Sequence, residues 1–245
     1  MQPWAWLSHS ITDVPPDGGW LGERERSVLA GLKVLKRRAD WRLGRFTAKA
    51  AAAAWLGVPI GEVEILAAPD GAPEAWIGEE RAPVSLSLSH RAGLAVALVA
   101  LPDCAVGCDI ELVEPRSDAF VREWFSPAEQ ELVFGAGPRR HLLANLLWTA
   151  KEAAVKARRE GLRLDPLHAA VRIGGGSAAW TPLNVEWDDE QWTVDGWWRE
   201  ERGFVLTVVG APGERLRLAP PYELLDEEAR APHTLAPDTP HAGCM

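Results

Sequence analysis

The chain has 245 residues, of which 47% are apolar and 25% are charged, and it carries a formal charge of −9 at neutral pH. This composition is typical of a soluble globular protein, and the length allows one large domain or two small ones. The negative net charge argues against nucleic-acid binding. No stretch approaches the ~20 consecutive apolar residues that cross a bilayer, so we expect no membrane partner.

The cysteines and the first residues of the chain indicate the compartment. Cys104, Cys108 and Cys244 form neither a C-x-x-C pair nor a disulfide framework. Residues 1–10 contain no Lys or Arg ahead of an apolar core, which is unlike a secretory signal. We therefore expect a reduced, cytoplasmic protein.

The apolar patterns, taken in chain order, predict two successive groups of helices and strands. The first group comprises helices at 23–35 and 39–56 and strands at 4–7, 63–66, 84–89 and 94–101. The second comprises helices at 117–125, 127–134 and 141–159 and strands at 105–111, 168–173, 192–198 and 204–209. A turn at Pro102-Asp103 predicts that strand 105–111 pairs with the strand before it.

This order predicts an α+β fold with two halves, residues 1–102 and residues 103–219. No strict sequence repeat relates the halves, although the order of elements is compatible with a structural duplication. From residue 220 the composition shifts to proline and acidic residues with few large apolar side chains. We expect residues 220–245 to form a disordered tail.

The sharpest polar pair lies on the strand at 105–111. Alternate side chains of a strand share a face, so Asp109 and Glu111 project together, whereas Cys108 and Ile110 face the core. Two neighbouring carboxylates repel each other unless a cation lies beside them. Oxygen ligands without a nearby His or Cys favour Mg²⁺ or Ca²⁺ over Zn²⁺. A solvated strand face is the alternative explanation of this pair taken alone.

A second polar pair lies on the helix at 141–159. Glu152 and Lys156 stand one turn apart on a stripe that begins with Trp148, and a separate apolar stripe supplies a core face. An ordinary helical ion pair would account for Glu152 and Lys156 taken alone. If the stripe meets the acidic strand, three carboxylates and a lysine form a site for a hard cation and a phosphate.

Two further features suit an anionic ligand. Ser89-His90 closes an alternating strand, and a histidine beside a chain reversal can donate a ring N–H to a phosphate or be merely a partly exposed strand end. Residues 22–49 contain nine Lys/Arg against three Asp/Glu, a local excess of six. That excess suits a small anion, an acidic protein patch or a solvated amphipathic helix. No nucleophile elbow, Walker loop or Rossmann fingerprint occurs in the sequence.

Taken together, these segments resemble a known family. The order and spacing of three blocks match the 4′-phosphopantetheinyl transferases: Ser87-Leu88-Ser89-His90, Gly107-Cys108-Asp109-Ile110-Glu111 and Trp148-x-x-Lys151-Glu152-Ala153-x-x-Lys156. The chain is similar to the double-length, Sfp-type branch, with further support from Phe125-Ser126-x-x-Glu129 and Gly161-Leu162. The similarity spans about residues 84–164.

The resemblance implies two similar α+β halves in one chain, a pseudo-dimer, with the active site in the cleft between them. It implies transfer of the 4′-phosphopantetheine arm of coenzyme A to a serine of an acyl or peptidyl carrier protein. Mg²⁺ would be the cofactor, and adenosine 3′,5′-bisphosphate would be released. The pathway of the carrier, whether fatty-acid, polyketide or nonribosomal-peptide synthesis, is left open. We expect a monomer, because both halves lie in one chain.

The resemblance also assigns roles to residues. Asp109, Glu111 and Glu152 look like the Mg²⁺ carboxylates, and Glu152 is also the candidate base for the carrier serine. Lys156 looks like the group that stabilises the pyrophosphate and the leaving group. The residues expected to contact coenzyme A are the phosphate pair Ser89 and His90 and the basic helix residues Arg38, Arg45 and Lys49.

Two positions depart from the family pattern. Cys108 stands between Gly107 and Asp109, where a branched aliphatic residue is more usual, and by parity it faces the core. A basic residue is common between Gly71 and Pro73, where this chain has Ala72. The phosphate contact of that residue would then have to come from elsewhere, and Arg81 and Arg91 are the candidates.

Two other functions would share some of these residues. An Mg²⁺-dependent nuclease or phosphodiesterase would use the same carboxylates and lysine. It is disfavoured by the net charge and because Glu111-Leu112-Val113 lacks the acidic-x-Lys triplet expected on its metal strand. A non-catalytic module that only binds carrier proteins would predict a broken set of metal ligands, whereas all three carboxylates and Lys156 are present.

Overall fold

The structure of the chain is a computed structural model that describes residues 3–159, 165–175, 179–187, 192–210 and 221–224. The helices are α1 (Glu23–Gly31), α2 (Leu35–Leu56), α3 (Asp118–Trp124), α4 (Pro127–Gly135) and α5 (Arg140–Arg158). The strands are β1 (Trp4–Ser10), β2 (Val63–Ala67), β3 (Pro73–Ile77), β4 (Glu80–Arg81), β5 (Ser85–Arg91), β6 (Leu94–Ala100), β7 (Val106–Leu112), β8 (Ala169–Ile173), β9 (Thr181–Trp187), β10 (Thr193–Glu201), β11 (Phe204–Gly210) and β12 (Tyr222–Glu223). The predicted α+β class is confirmed. None of these helices is long and apolar enough to cross a membrane.

The described strands form two larger sheets and one small one. The N-terminal sheet has the order β12-β1-β6-β5, the C-terminal sheet has the order β7-β11-β10-β9-β8, and β2-β3-β4 form the third. The prediction that β7 pairs with the preceding strand is wrong. Strand β6 already has β1 on one edge and β5 on the other, so it offers no free edge, and β7 pairs antiparallel with β11 instead.

Several elements differ from the sequence-based expectation. Helix α1 ends at Gly31, so the predicted helix 23–35 is shorter, and strands β3, β4 and β9 were not predicted. A proline at the start of β3 and another near the start of β9 obscure the strand pattern. Part of the predicted tail is ordered, because β12 pairs with β1 and Leu224 is buried. Residues 225–245 and Gly161-Leu162 lie outside the described residues.

Each larger sheet packs against a long helix, and a third apolar cluster lies between the two sheets. Helix α2 packs an alanine-rich face on the N-terminal sheet, and α5 packs on the C-terminal sheet. A third cluster lies between the sheets, where Cys108 and Ile110 of β7 meet Trp6 and Leu98 of the N-terminal sheet. The predicted core-facing parity of Cys108 and Ile110 is therefore confirmed. The opposite face of β7 is left for α5.

Gly107 allows α5 to lie directly on that opposite face of β7. A Cβ atom placed on Gly107 would lie 1.8 Å from the carbonyl oxygen of Ala153 and 2.9 Å from the backbone nitrogen of Ala157. Any side chain here would push the helix away, because backbone atoms cannot rotate aside. Gly107 shares its face with Asp109 and Glu111, so the same close approach brings α5 to both carboxylates.

We expect Gly107→Ala to lower the free energy of unfolding by about 3 kcal/mol or more, because the added methyl group would overlap the α5 backbone. Urea denaturation followed by circular dichroism measures the change. The control is Gly31→Ala at the end of α1, where an added Cβ meets no atom within 4 Å; that variant should remain within about 1 kcal/mol of wild type. A Gly107→Ala protein as stable as wild type would contradict the close approach.

Candidate active site

Asp109 lies where β7 meets both β5 and α5. Its Oδ1 accepts hydrogen bonds from Ser89 Oγ (2.7 Å) and from Lys156 Nζ (2.7 Å). Lys156 Nζ also donates to the carbonyl oxygen of Cys108 (3.1 Å). Asp109 Oδ2 is buried and has no hydrogen-bond partner among the described residues. Leaving a buried carboxylate oxygen without a donor is unfavourable, which marks Oδ2 as a position for a cation.

Glu111 faces two arginines. Its Oε2 lies 3.1 Å from Arg91 Nε and 3.2 Å from Arg116 Nη2. Burial raises the pKa of Glu111, the charge of Asp109 adds to the rise, and the two arginines offset part of it. Arg116 is itself fixed by a hydrogen bond from its Nε to Asn145 Oδ1 (2.7 Å). Glu111 is therefore already paired with positive charge.

Glu152 and Lys156 face Asp109 from α5. Burial raises the pKa of Glu152, and the charges of Asp109 and Glu111 add to this rise while Lys156 opposes it. Burial alone would lower the pKa of Lys156, but Asp109, Cys108 and Glu152 together outweigh this effect and the pKa is raised. Lys156 is therefore charged at neutral pH, and Glu152 is a carboxylate with an increased affinity for a proton.

A cavity of about 1020 Å³ adjoins this cluster and is lined by both halves. On the N-terminal side lie the turn at 70–73, Arg81 and part of β5, and on the C-terminal side lie Glu152 and Lys156. Trp148 also lines the cavity, with its ring edge-to-face against Trp124 at 5.4 Å between centroids. Such a volume accommodates a nucleotide-sized ligand.

The predicted cluster of three carboxylates is not assembled as a metal site. No group of three or more His, Cys, Asp or Glu side chains is placed to hold a metal ion in the part of the chain that the structure describes. Lys156 occupies Oδ1 of Asp109, and Arg91 and Arg116 face Glu111. Asp109 Oδ2 and Glu152 still fit Mg²⁺, which takes one or two carboxylates and otherwise binds water and phosphate oxygens.

Ser89 and His90 occupy different environments. Ser89 is buried and donates to Asp109, whereas His90 is exposed at the end of β5, next to Gly44 of α2. Ser87, on the same strand, accepts a hydrogen bond from the backbone nitrogen of Cys108 (3.0 Å). The serines of β5 thus join the N-terminal half to β7. The sequence indicated that Ser87 and Ser89 share a face, but not what that face contacts.

Two of the basic residues assigned to coenzyme A are used within the N-terminal half. Arg38 Nη1 donates to the carbonyl oxygens of Leu29 (2.7 Å) and Leu32 (2.9 Å), where α1 ends. Arg45 donates to a backbone carbonyl oxygen of β2, and its guanidinium lies over the ring of Trp41, 4.7 Å from the ring centroid. Both side chains satisfy groups of the scaffold.

Lys49 is the third basic residue of that assignment, and it is fully buried. Its Nζ lies 2.6 Å from Glu25 Oε2, and neither side chain is exposed to solvent. The structure brings none of Arg38, Arg45 and Lys49 to the cavity. Their assignment to coenzyme A stays a prediction, and each side chain already neutralises a carboxylate or satisfies backbone carbonyls inside the N-terminal half.

The fold brings two arginines to Glu111 that sequence reasoning did not place there. Arg91, a candidate for a phosphate contact, pairs instead with Glu111 and Glu114. Arg116 comes from the loop after β7 and was not singled out. A positive charge a few residues from an acidic pair is too common a sequence signal to identify such a partner.

The acidic pair of β7 faces Glu152 and Lys156 beside the cavity, and these groups could hold a hard cation and a phosphate. Residues 105–209 match the sequence model of the 4′-phosphopantetheinyl transferase superfamily. This segment is similar to that superfamily, and it contains Asp109, Glu111, Glu152 and Lys156, so the predicted resemblance is confirmed.

Two curated relatives extend the comparison. They are the 4′-phosphopantetheinyl transferases AcpT of Salmonella typhi and of Salmonella typhimurium strain LT2. Each is 34% identical to this chain over 125 residues, which cover 50% of this chain and 59% of the relative. The match therefore spans about three fifths of the length of these relatives.

We expect Glu152→Gln to raise the free energy of unfolding at neutral pH. The pKa of Glu152 is higher in the folded protein than in the unfolded chain, so ionisation of this group favours unfolding. The stability that the wild type loses through ionised Glu152 is lost in full above the raised pKa. This loss vanishes as the pH falls through the ordinary Glu pKa of about 4.3.

Denaturation curves from about pH 4 to about pH 8 measure this effect. The variant and the wild type should converge at the acid end. Glu123→Gln on the exposed face of α3 is the control and should follow the wild type throughout. Equal stability of Glu152→Gln and wild type at every pH would contradict the raised pKa.

Proposed function

We propose that this protein is a phosphopantetheinyl transferase. It would transfer the 4′-phosphopantetheine arm of coenzyme A to a serine of an apo acyl or peptidyl carrier protein and release adenosine 3′,5′-bisphosphate. The observation that carries this proposal is the placement of Lys156 and Glu152 against Asp109 at the wall of the cavity, within the superfamily segment. The same activity is named for the two Salmonella relatives.

Mg²⁺ is the cofactor that we propose for the reaction. Asp109 Oδ2 lacks a donor and Glu152 lines the cavity, so these two carboxylates are the available ligands. Glu111, the third predicted ligand, would act from behind these two carboxylates, where Arg91 and Arg116 hold it. A bound divalent cation supplies charge neutralisation for a pyrophosphate. It would also relieve the mutual repulsion that raises the pKa values of Glu111 and Glu152.

The residues of the chain would position the substrate and transfer a proton. Lys156, kept charged by Asp109, stabilises the negative charge that develops on the leaving phosphate. Glu152 would accept the proton of the attacking serine hydroxyl from its place at the cavity wall. The serine oxygen then bonds to the pantetheine-linked phosphorus while the bond from that phosphorus to the bridging oxygen breaks. No covalent intermediate with the protein is needed.

Coenzyme A phosphates would be bound from the N-terminal half. Ser89 and His90 remain candidates, because Ser89 touches Asp109 and His90 is exposed at the end of β5. Arg81 lines the same cavity as Ala72, and its guanidinium lies 3.4 Å from Glu74. Arg91 is already paired with two glutamates. We therefore assign to Arg81 the phosphate contact that Ala72 cannot make.

We also propose that the two halves, residues 1–102 and residues 103–219, are copies of one unit in a double-length, Sfp-type chain. In each larger sheet the first strand of the half pairs with its last strand, which pairs in turn with the strand before it. One long helix follows the first strand of each half, α2 and α5. The two units meet in one chain, which supports a monomer as the working form.

Incubation with coenzyme A, Mg²⁺ and a panel of apo carrier proteins should add one phosphopantetheine to a carrier serine, as read by intact-protein mass spectrometry. Asp109→Ala should reduce the rate at least ~100-fold, since it removes both a metal ligand and the partner of Lys156. The matched control is Glu64→Ala, which breaks an ion pair with Arg24 (2.6 Å) away from the cavity and should stay active. No adduct on any carrier, with a reference transferase working in parallel, would refute the proposed function.

We expect Arg81→Ala to raise the KM for coenzyme A about tenfold with little change in kcat, because one charge-assisted hydrogen bond to a phosphate is lost. Steady-state kinetics at a saturating carrier concentration measure this split. Arg172→Ala, which removes an exposed ion pair with Glu186 on the C-terminal sheet, should leave both constants unchanged. An unaltered KM in Arg81→Ala would place the phosphate contact on another residue.

A further inference from the structure

A buried glutamate–lysine pair ties together three elements of the N-terminal half. Glu25 Oε2 accepts hydrogen bonds from Lys49 Nζ of α2 (2.6 Å) and from the backbone nitrogen of Gly22 (2.9 Å). Glu25 Oε1 accepts from the backbone nitrogen of Ile65 in β2 (2.9 Å). We call Glu25 and Lys49 the N-terminal clamp.

The C-terminal half contains the same arrangement, atom for atom. Glu129 Oε2 accepts hydrogen bonds from Lys151 Nζ of α5 (2.7 Å) and from the backbone nitrogen of Ser126 (2.9 Å). Glu129 Oε1 accepts from the backbone nitrogen of Val171 in β8 (3.1 Å). Lys151 also donates to the carbonyl oxygen of Trp124 (3.1 Å). We call Glu129 and Lys151 the C-terminal clamp.

The two clamps occupy corresponding places in their halves. Each glutamate is the third residue of a short helix, α1 or α4, and completes a capping interaction at its start. Each lysine lies on the long helix, and each strand donor is the third residue of its strand. The match of three partners of each glutamate at corresponding positions supports a common origin of the halves.

The clamps fix the long helices in a specific orientation. Both lysine side chains are fully buried, and the glutamates are nearly so. A buried ion pair stabilises a fold little more than well-packed apolar groups do, but it requires one geometry of donors and acceptors. The placement of these donors and acceptors therefore sets both the rotation and the axial position of the helix that carries the lysine.

The residues that follow the two lysines differ in a way that matters for the site. After Lys49 come Ala50 and, one turn later, Ala54. After Lys151 come Glu152 and, one turn later, Lys156, the two residues that face Asp109. The N-terminal clamp thus holds a helix without polar groups at these places, whereas the C-terminal clamp holds the helix that bears the proposed chemistry.

We propose that Glu129 and Lys151 are positioning residues that set the orientation of Glu152 and Lys156 toward Asp109. Adjacent residues on a helix point about 100° apart, so anchoring Lys151 in the core directs Glu152 to the cavity wall. The inference rests on the proposed function for its chemistry. Its structural part, the dependence of the acidic site on this clamp, is tested by metal binding alone.

The test compares two double variants, Glu129→Gln/Lys151→Met and Glu25→Gln/Lys49→Met. Each removes both charges of one clamp while the glutamine carbonyl can still accept from a backbone N–H. Mn²⁺ binding, measured by electron paramagnetic resonance of the free ion, is the readout that does not require activity. We expect the C-terminal variant to bind Mn²⁺ at least about tenfold more weakly and to lose kcat more than affinity for coenzyme A.

The N-terminal variant is the matched control. It loses the same interactions, but the residues that follow Lys49 at the corresponding places are Ala50 and Ala54. It should show a comparable drop in melting temperature and unchanged Mn²⁺ affinity. Equal Mn²⁺ affinities in the two folded variants would overturn the positioning role, as would unchanged Mn²⁺ binding in the C-terminal variant. If a double variant unfolds, Glu129→Gln against Glu25→Gln gives the same comparison. Failure of the proposed function is a different result, namely wild-type protein without transfer to any carrier.

Discussion

The approach of the α5 backbone to Gly107 is the constraint on which the rest of the site depends. The carbonyl oxygen of Ala153 occupies the space where a side chain of residue 107 would begin. Because alternate residues of β7 share a face, this contact also fixes the distance from α5 to Asp109. Lys156 can then reach both the carboxylate of Asp109 and a backbone carbonyl of the same strand. A position without a side chain therefore determines where the charged groups meet.

The carboxylates brought together in this way are not equivalent, and the differences give each a separate use. Asp109 shares one oxygen with Lys156 and leaves the other without a donor. Glu111 is balanced by two arginines. Burial raises the pKa of Glu152 as it does that of Glu111, but Glu152 has Lys156 in place of the two arginines. The three carboxylates therefore have different environments, because the neighbours of each differ.

The two halves share a framework but not the chemistry. In both, a buried glutamate–lysine pair anchors a long helix, and that helix packs on an antiparallel sheet. In the N-terminal half the helix presents alanines, which allow close packing on the sheet and fill the core. In the C-terminal half the equivalent stretch carries Glu152 and Lys156. Residues 70–73, Arg81 and part of β5 supply the opposite wall of the cavity.

The sequence by itself determined the class of fold, most of the helices and strands, and which residues of β7 and α5 share a face, because these follow from local periodicity and capping. It also indicated Asp109, Glu111, Glu152 and Lys156 as one group through their spacing. Only the tertiary structure decided that β7 pairs with β11, that Arg116 meets Glu111, and that Arg38, Arg45 and Lys49 serve the scaffold. A periodic pattern states that a face is covered or charged, but the identity of its partner depends on contacts between residues far apart in the chain. Those contacts are set by which sheet edges are free and by how closely backbones can approach.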